Sequence, residues 1–322
     1  MEKLYIAVDI GATYTRIALG NREGILDKKV IRTPSTGESI VVAKRIYEEI
    51  LSSYREYIDR VEAVGIGTIG PIDIRRGVVV NTPNLPIRTF PLREPLMNWL
   101  GKPVYVMNDA VTAVYGEKMY GLGKNYHNIL YVTMSTGIGG GVIVDDHLLI
   151  GKMGNAHEIG HIVVDYEGRV PCGCGGRGHW EAYAGGANIP VMARILASEK
   201  PVIESEAYRL AVRGELDPPT LFKLYRSGDL FAKKIVSKII EASIAGLATA
   251  INLYDPEIVT IGGSVFLNNK DILLEPLRNG VKKHLVTEPP RIEATPLGGD
   301  IVLYGALALA INPPEELLKI QM

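Results

Sequence analysis

The chain alternates between short apolar runs with the two-residue period of strands and longer stripes with helical spacing. Leu4-Tyr-Ile-Ala-Val-Asp9 reads as a buried strand, Gly11-Ala-Thr13 as a turn and Tyr14-Thr-Arg-Ile-Ala-Leu19 as a second strand, which together predict a β-hairpin. The same grammar returns at Ile129 to Met134, the glycine-rich turn Ser135 to Gly141, and Val142 to Asp145. Two copies of one device, far apart in the chain, predict two related lobes. Between them the apolar positions Ile40, Val41, Ala43, Ile46, Ile50 and Leu51 predict a helix within 39–57. Val61 to Ile66 and Val104 to Met107 read as further strands, the latter ending at Asn108-Asp109, where an aspartate also suits a helix N-terminus. A long helix is expected from Phe231 to Tyr254, then Asp255-Pro, the strand Ile258 to Ile261 and a break at Gly262-Gly263. Alternating strands and helices place the chain in the α/β class.

A length of 322 residues exceeds one compact domain, so two lobes with a ligand cleft between them are expected. Lys+Arg 35 against Asp+Glu 36 leaves a formal net charge of -1, which offers no footprint for nucleic acid or an anionic membrane. Anionic ligands must then be held locally. No apolar run reads as a membrane span, and the N-terminus lacks the pattern of a secretory signal. Cys172 and Cys174 are the only cysteines, too close for an ordinary disulfide framework and better placed to share a metal, so the expected compartment is reducing cytoplasm. Gln321 is the only glutamine and prolines number 19, a composition that points to a thermophilic source.

The glycine loops carry the chemistry. The Gly-Lys pairs at Gly101, Gly123 and Gly151 lead to Pro, Asn and Met, so no P-loop is present. Gly137-Ile-Gly-Gly-Gly141 runs into β-branched strand residues, not into a helix, which excludes the dinucleotide fingerprint. What remains is phosphate held on hairpin turns, by backbone N–H groups together with the hydroxyls of Thr13, Thr15, Ser135 and Thr136. Asp9 would sit beside the phosphates as an outer partner of Mg²⁺.

These residues resemble the ROK family of sugar kinases and sugar-responsive repressors, within the actin-like (ribonuclease H-like) ATPase fold. Asp9-Ile-Gly11-Ala12-Thr13 with Arg16 is similar to the family's first phosphate loop, with Ala12 where glycine is usual. Gly67-Thr-Ile-Gly-Pro71 with Asp73 resembles its hinge and sugar loop, and Ser135 to Gly141, with Thr136, Gly137 and Gly139, its second phosphate loop. Asn81-Thr-Pro-Asn84 and Asn108-Asp109 match sugar-binding and catalytic positions, and Gly262-Gly263 the adenosine segment. Glu158-Ile-Gly-His161 and the stretch Cys172 to Glu181 match the family signature. The resemblance implies a small lobe of 1–112 plus 302–322, with the last helix around Leu303 to Ala310 returning to it, and a large lobe of 113–301. It also implies ATP, Mg²⁺ and a hexose as ligands, and leaves the oligomeric state open, a homodimer included.

His157-Glu-Ile-Gly-His161 also fits the zinc-peptidase pattern H-E-x-x-H. That pattern needs a helix, and Gly160 followed by Ile162-Val-Val favours strand. In the kinase reading His161, Cys172, Cys174 and His179 form a closed four-ligand zinc site inserted in the large lobe, with His179 where the family normally has cysteine. The competing state is a metal-free loop. Zinc there would fix the loop that carries Glu158, His161 and Glu181 toward the sugar.

Phosphoryl transfer requires positioning, charge neutralisation and a base to orient the attacking hydroxyl. The resemblance assigns Asp109 as that base, with Asn84, Asn108, Glu158, His161 and Glu181 on the ring hydroxyls. The expected activity is ATP-dependent conversion of a hexose, glucose first, to its 6-phosphate, as a glucokinase or broad hexokinase feeding glycolysis. Fructose and N-acetylhexosamines are the alternative substrates; a non-enzymatic sugar-responsive repressor, for which no helix-turn-helix precedes Asp9, and an actin-like filament protein are the alternatives by class. His157 stands where the family commonly has glycine, either altering the sugar pocket or filling a turn.

Overall fold

The computed structural model describes residues 2–83, 85–199 and 203–321. The chain runs β1 (Leu4–Ile10), β2 (Tyr14–Gly20), β3 (Ile25–Arg32), α1 (Val41–Tyr54), β4 (Val61–Thr68), β5 (Ile72–Asp73), β6 (Val78–Val79) and β7 (Phe90–Pro91). It continues through α2 (Arg93–Leu100), β8 (Val104–Asn108), α3 (Asp109–Tyr120), β9 (Ile129–Met134), β10 (Ile138–Val144) and β11 (His147–Leu148). Then come α4 (Trp180–Ala184), α5 (Ile189–Ala197), α6 (Glu206–Arg213), α7 (Pro218–Arg226) and α8 (Leu230–Tyr254). The last elements are β12 (Ile258–Gly262), α9 (Ser264–Leu267), α10 (Lys270–Val281), β13 (Arg291–Ala294), α11 (Ile301–Ile311) and α12 (Glu315–Gln321). The five-stranded sheets have the orders β3-β2-β1-β4-β8 and β11-β10-β9-β12-β13, and β5-β6-β7 form a small third sheet.

The chain packs as two compact units, one of 1–131, 141–157 and 295–322, the other of 132–140 and 158–294. These divisions differ from the expected lobe limits at 112 and 301, and the reason is steric. In the first unit α11 lies against β1, β4 and α3 at backbone distance. A Cβ on Gly305 would stand 1.8 Å from the Thr112 carbonyl oxygen, one on Gly116 2.8 Å from that of Ile301, and one on Gly65 2.0 Å from that of Ala306. Only glycine permits such approach, so α3 stays with the sheet that its preceding strand belongs to. The core here is made by Tyr5, Ala7, Ala18 and Ala63 against Leu303, Ala306, Leu307 and Ala310. The helix around Leu303 to Ala310 therefore does return to the first sheet.

In the second unit α8 is the central helix, packed by α4, α7 and α10. Contrary to the expectation that no apolar stretch reaches bilayer length, α8 is long and apolar enough to cross a membrane. Yet 56% of its most apolar window is buried within the fold, the pattern of a core helix. Trp180 is 1% exposed, donates from Nε1 to Ser243 Oγ at 3.0 Å, and presses its ring on Gly246, where a Cβ would come within 2.4 Å of it. That contact anchors the start of α4, and with it the loop that precedes it, on α8.

Candidate functional site

The first hairpin folds as expected: β1 and β2 pair antiparallel with Asp9 opposite Arg16. Arg16 Nη1 donates to Asp9 Oδ2 at 2.7 Å; burial pushes the Asp9 carboxyl up, and the guanidinium opposes it. The turn is stitched from behind by Thr33, whose N–H donates to Thr13 O at 3.0 Å and whose hydroxyl donates to Gly11 O at 2.8 Å. Thr15 departs from its assigned role. It is 1% exposed and its hydroxyl pairs with Thr33 Oγ1 at 2.9 Å, so it braces the turn from inside and offers nothing to a phosphate. Gly11, Ala12 and Thr13 form the accessible rim.

Asn108 and Asp109 sit where β8 becomes α3. Asn108, not Asp109, is the N-cap: its Oδ1 accepts from Ala110 N–H at 2.9 Å, and Asp109 Oδ1 accepts from the same N–H at 2.8 Å. The carboxylate of Asp109 therefore lies at the N-terminal, positive end of a 12-residue helix. Asn84 lies outside the described residues. His157 is 2% exposed and fills the interior of the first unit.

The second hairpin turn belongs to the other unit and is shorter than expected. Ser135 N–H donates to Gly137 O at 2.9 Å, while Gly139 and Gly141 stand within β10. Gly141 serves packing: a Cβ there would lie 2.2 Å from the Ala110 carbonyl oxygen. Around Ser135 and Thr136, Gly186 N–H donates to Ser135 O, Ala187 N–H to Thr136 O, and the hydroxyls of Ser135 and Ser264 lie 3.1 Å apart. Gly263, between β12 and α9, has φ +86 and would place a Cβ 2.3 Å from Met134 O, so no other residue fits there. These groups open on a pocket of about 550 Å³ whose farther wall is Pro218, Pro219, Arg226 and Asn268. Its volume lies within the range of small-molecule sites. Sequence reading missed that wall, because α7 and α9 meet only in the fold.

Glu158, His161 and Glu181 share the second unit with the cysteine loop. His161, Cys172, Cys174 and His179 offer ligand atoms that all lie within 4.8 Å of one another. Cys172 Sγ is 3.9 Å from His161 Nδ1, and Cys174 Sγ is 3.3 Å from His179 Nδ1. Tetrahedral zinc with bonds of about 2.0–2.3 Å sets its ligands about 3.3–3.8 Å apart; the Cys174–His179 pair falls in that range and the Cys172–His161 pair just outside it, so these donor types suit a zinc ion after a small inward adjustment. Burial pushes the Cys172 thiol up to about 12, which leaves thiolate formation to a cation at that position. The imidazole of His161 serves two directions: Nδ1 turns to Cys172, and Nε2 lies 3.8 Å from Glu158 Oε2. His157, the other histidine of H-E-x-x-H, is not in the cluster, and residues 159–161 form a 3₁₀ turn in place of the helix a zinc peptidase needs. Glu181 is partly committed: its Oε2 accepts from Ile138 N–H at 2.9 Å, and its Oε1 lies 3.7 Å from Cys172 Sγ. It joins the cysteine loop to the second hairpin turn.

Asp165 organises this loop. Although its burial works the other way, the Arg169 guanidinium, the Tyr183 hydroxyl and the Arg169 N–H hold its carboxyl down to about 2. A carboxyl depressed below its unfolded value of 3.8 stabilises the fold above that value and loses the effect as pH falls through the folded one. Asp165→Asn should therefore cost about 1–2 kcal/mol in urea unfolding at pH 7, toward the lower end because Arg169 is largely exposed. The gap should shrink between about pH 4 and pH 2; a gap that does not move with pH would remove this assignment.

Comparison with known proteins agrees along the whole length. A glucokinase from Pyrobaculum calidifontis is 41% identical over 318 residues, covering 98% of this chain and 97% of that protein. The crystal structure of the ROK hexokinase from Thermus thermophilus superposes with a TM-score of 0.81 at 33% identity, covering 95% of this chain and 97% of the other. The ROK family glucokinase from Streptomyces griseus, solved in complex with glucose and AMPPNP, gives a TM-score of 0.75 at 33% identity, covering 96% and 99%. The model of the ROK family matches residues 5–312, which take in both hairpins, the Asn108-Asp109 pair and the cysteine-histidine loop, and the chain belongs to that family.

Proposed function

We infer that this chain is an ATP-dependent hexose kinase that phosphorylates glucose to glucose 6-phosphate. The observation that carries the reading is identity of 41% with a glucokinase across nearly the full length of both chains, joined to a carboxylate, Asp109, at a helix N-terminus beside an amide cap. ATP would seat its adenosine in the pocket bounded by Ser264 and Pro218, beside the turn of Ser135 and Thr136; the turn of Gly11, Ala12 and Thr13 is proposed as a second phosphate-binding element. Mg²⁺ would neutralise phosphate charge; Arg16 occupies Asp9 Oδ2, and Oδ1 is the oxygen suited to a metal-bound water. Asn84, Asn108, Glu158, His161 and Glu181 are the residues proposed to bind ring hydroxyls, since amides and carboxylates discriminate hydroxyl patterns.

Asp109 accepts the proton of the attacking 6-hydroxyl as the oxygen bonds to the γ-phosphorus and the bond to ADP breaks. Because transfer is loose, most of the barrier is lowered by alignment, which the proposed sugar contacts supply. Zinc on His161, Cys172, Cys174 and His179 would act as a structural clamp. Free thiols at Cys172 and Cys174 suit a reducing compartment, and the cytoplasm is the compartment proposed.

A coupled ADP-release assay with Mg-ATP and a hexose panel tests the reading. ADP should appear only with sugar, and glucose should give the highest kcat/KM. A higher kcat/KM for fructose or an N-acetylhexosamine would overturn the substrate; release driven by casein, or none with any sugar, would overturn the kinase.

A further inference from the structure

The turn of Ser135 and Thr136 is not held by its own hairpin alone. Ser135 O accepts from Gly186 N–H at 2.8 Å and Thr136 O from Ala187 N–H at 2.9 Å, while Ile138 N–H, just past the turn, donates to Glu181 Oε2 at 2.9 Å. All three partners belong to one stretch, 181–187, which runs from α4 toward α5 and lies with the turn in the second unit. Trp180, immediately before it, is fixed on Ser243 and Gly246 of α8. Gly186 and Ala187 also line the pocket in which adenosine is proposed to sit.

Two of these bonds join backbone groups, and the third depends on a side chain. The packing leaves room for that side chain. A Cβ on Gly137 would lie 2.3 Å from Glu181 Oε2, and one on Gly185 2.8 Å from Glu181 Cγ. Gly137 has no positive φ of its own to demand glycine, so what its missing side chain admits is the Glu181 carboxylate. An ionised carboxylate is also a stronger acceptor for a backbone N–H than a neutral group. We propose that Glu181 is a positioning residue for ATP: its carboxylate, through Ile138 N–H, sets the turn that receives phosphate, in addition to the part in sugar binding proposed above. The two roles use different oxygens. Oε2 is spent on Ile138, and Oε1, 3.7 Å from Cys172 Sγ, is the oxygen left for a sugar hydroxyl. The proposal rests on the reading of this turn as a phosphate-binding element.

Calorimetry with Mg-AMPPNP and no sugar present tests it, because a residue that acts only on the sugar is silent there. Glu181→Ala should raise the nucleotide Kd about three- to tenfold, the scale expected when one preorganising hydrogen bond is lost. Electrostatics alone predicts the opposite sign, since removal of a negative charge beside a phosphate site should tighten a polyanion. Glu181→Gln keeps an acceptor for Ile138 N–H and should hold the nucleotide Kd within about twofold of the parent. Both variants should keep the parent's zinc content. If alanine does not fold, Glu181→Leu reads the same constants. A nucleotide Kd in Glu181→Ala within about twofold of the parent or below it, an equal weakening in Glu181→Gln, or a weakening that comes with loss of zinc would overturn the proposal. These outcomes leave the ATP reading standing so long as the parent binds Mg-AMPPNP; a parent that does not bind it removes that reading and the proposal together.

Discussion

Asp109→Asn is expected to give a protein that folds, binds glucose and transfers almost no phosphate. The fold should tolerate it because the cap of α3 is Asn108, whose Oδ1 already holds the Ala110 N–H, and an asparagine oxygen can take over the second bond from Asp109 Oδ1. The helix-dipole contribution lost with the charge is about 0.3–1 kcal/mol. Ground-state binding should also survive, since an amide can still hydrogen-bond a hydroxyl and Asn108, Glu158, His161 and Glu181 are unchanged. What the amide cannot do is accept the proton while the oxygen attacks, and loss of a general base typically costs ~10²–10⁴-fold in rate. The split between kcat and affinity is therefore diagnostic: calorimetry with glucose should give a Kd within a few-fold of the parent while kcat collapses. Turnover within a few-fold of the parent would make Asp109 a helix-end residue only. Parallel loss of binding and rate would make it a sugar ligand.

How far such roles could be read without coordinates depended on whether their cause is local. The two hairpins were legible because alternation and turn glycines are properties of a dozen neighbouring residues. Thr15 was assigned wrongly although a local signal existed: along β2 it shares a face with Ile17 and Leu19, both buried, so its hydroxyl points inward with them. Thr33, which ties down the first turn, lies on the far side of β2 and β3, and no local pattern connects it to Gly11. The wall of Pro218, Pro219 and Arg226 and the commitment of Glu181 to Ile138 N–H were illegible for the same reason. The expected division near 112 differs from the packing units, which keep all of α3 with the first sheet. The glycines at 65, 116 and 305 that weld α3 and α11 to the sheet reveal their purpose only when the opposing carbonyls are in place. The length of α8 was underestimated as a membrane signal, and burial, which composition cannot express, accounts for it.

Removal of zinc is the second large effect expected. Protein prepared without chelator should carry about one zinc per chain by elemental analysis, following the ligand count of closed structural sites. Its loss should be local in structure and severe in function. The loop from 162 to 179 buries Val170 and Cys172 but leaves Val163 58% and Tyr166 99% exposed, so its order leans on Asp165, the 178–180 backbone contacts and the zinc proposed for it. Trp180, by contrast, is fixed on Ser243 and Gly246 of α8, which should keep the rest of the unit folded when the ion leaves. Zinc-finger peptides gain an apparent ~10–16 kcal/mol from their metal, and a loop already anchored at both ends should gain only a fraction of that. In chelator-treated protein, and in a Cys172→Ala/Cys174→Ala variant, far-UV circular dichroism should change little while Tm falls and glucose KM rises steeply. The rise follows because His161 loses the contact that orients its ring, and Glu181 loses its neighbour at Cys172. His179→Cys should keep the zinc, since sulfur and imidazole nitrogen both satisfy it. Absence of zinc from the untreated protein, full retention in the double-alanine variant, or unchanged glucose KM after complete removal would each break the link between this loop and the sugar.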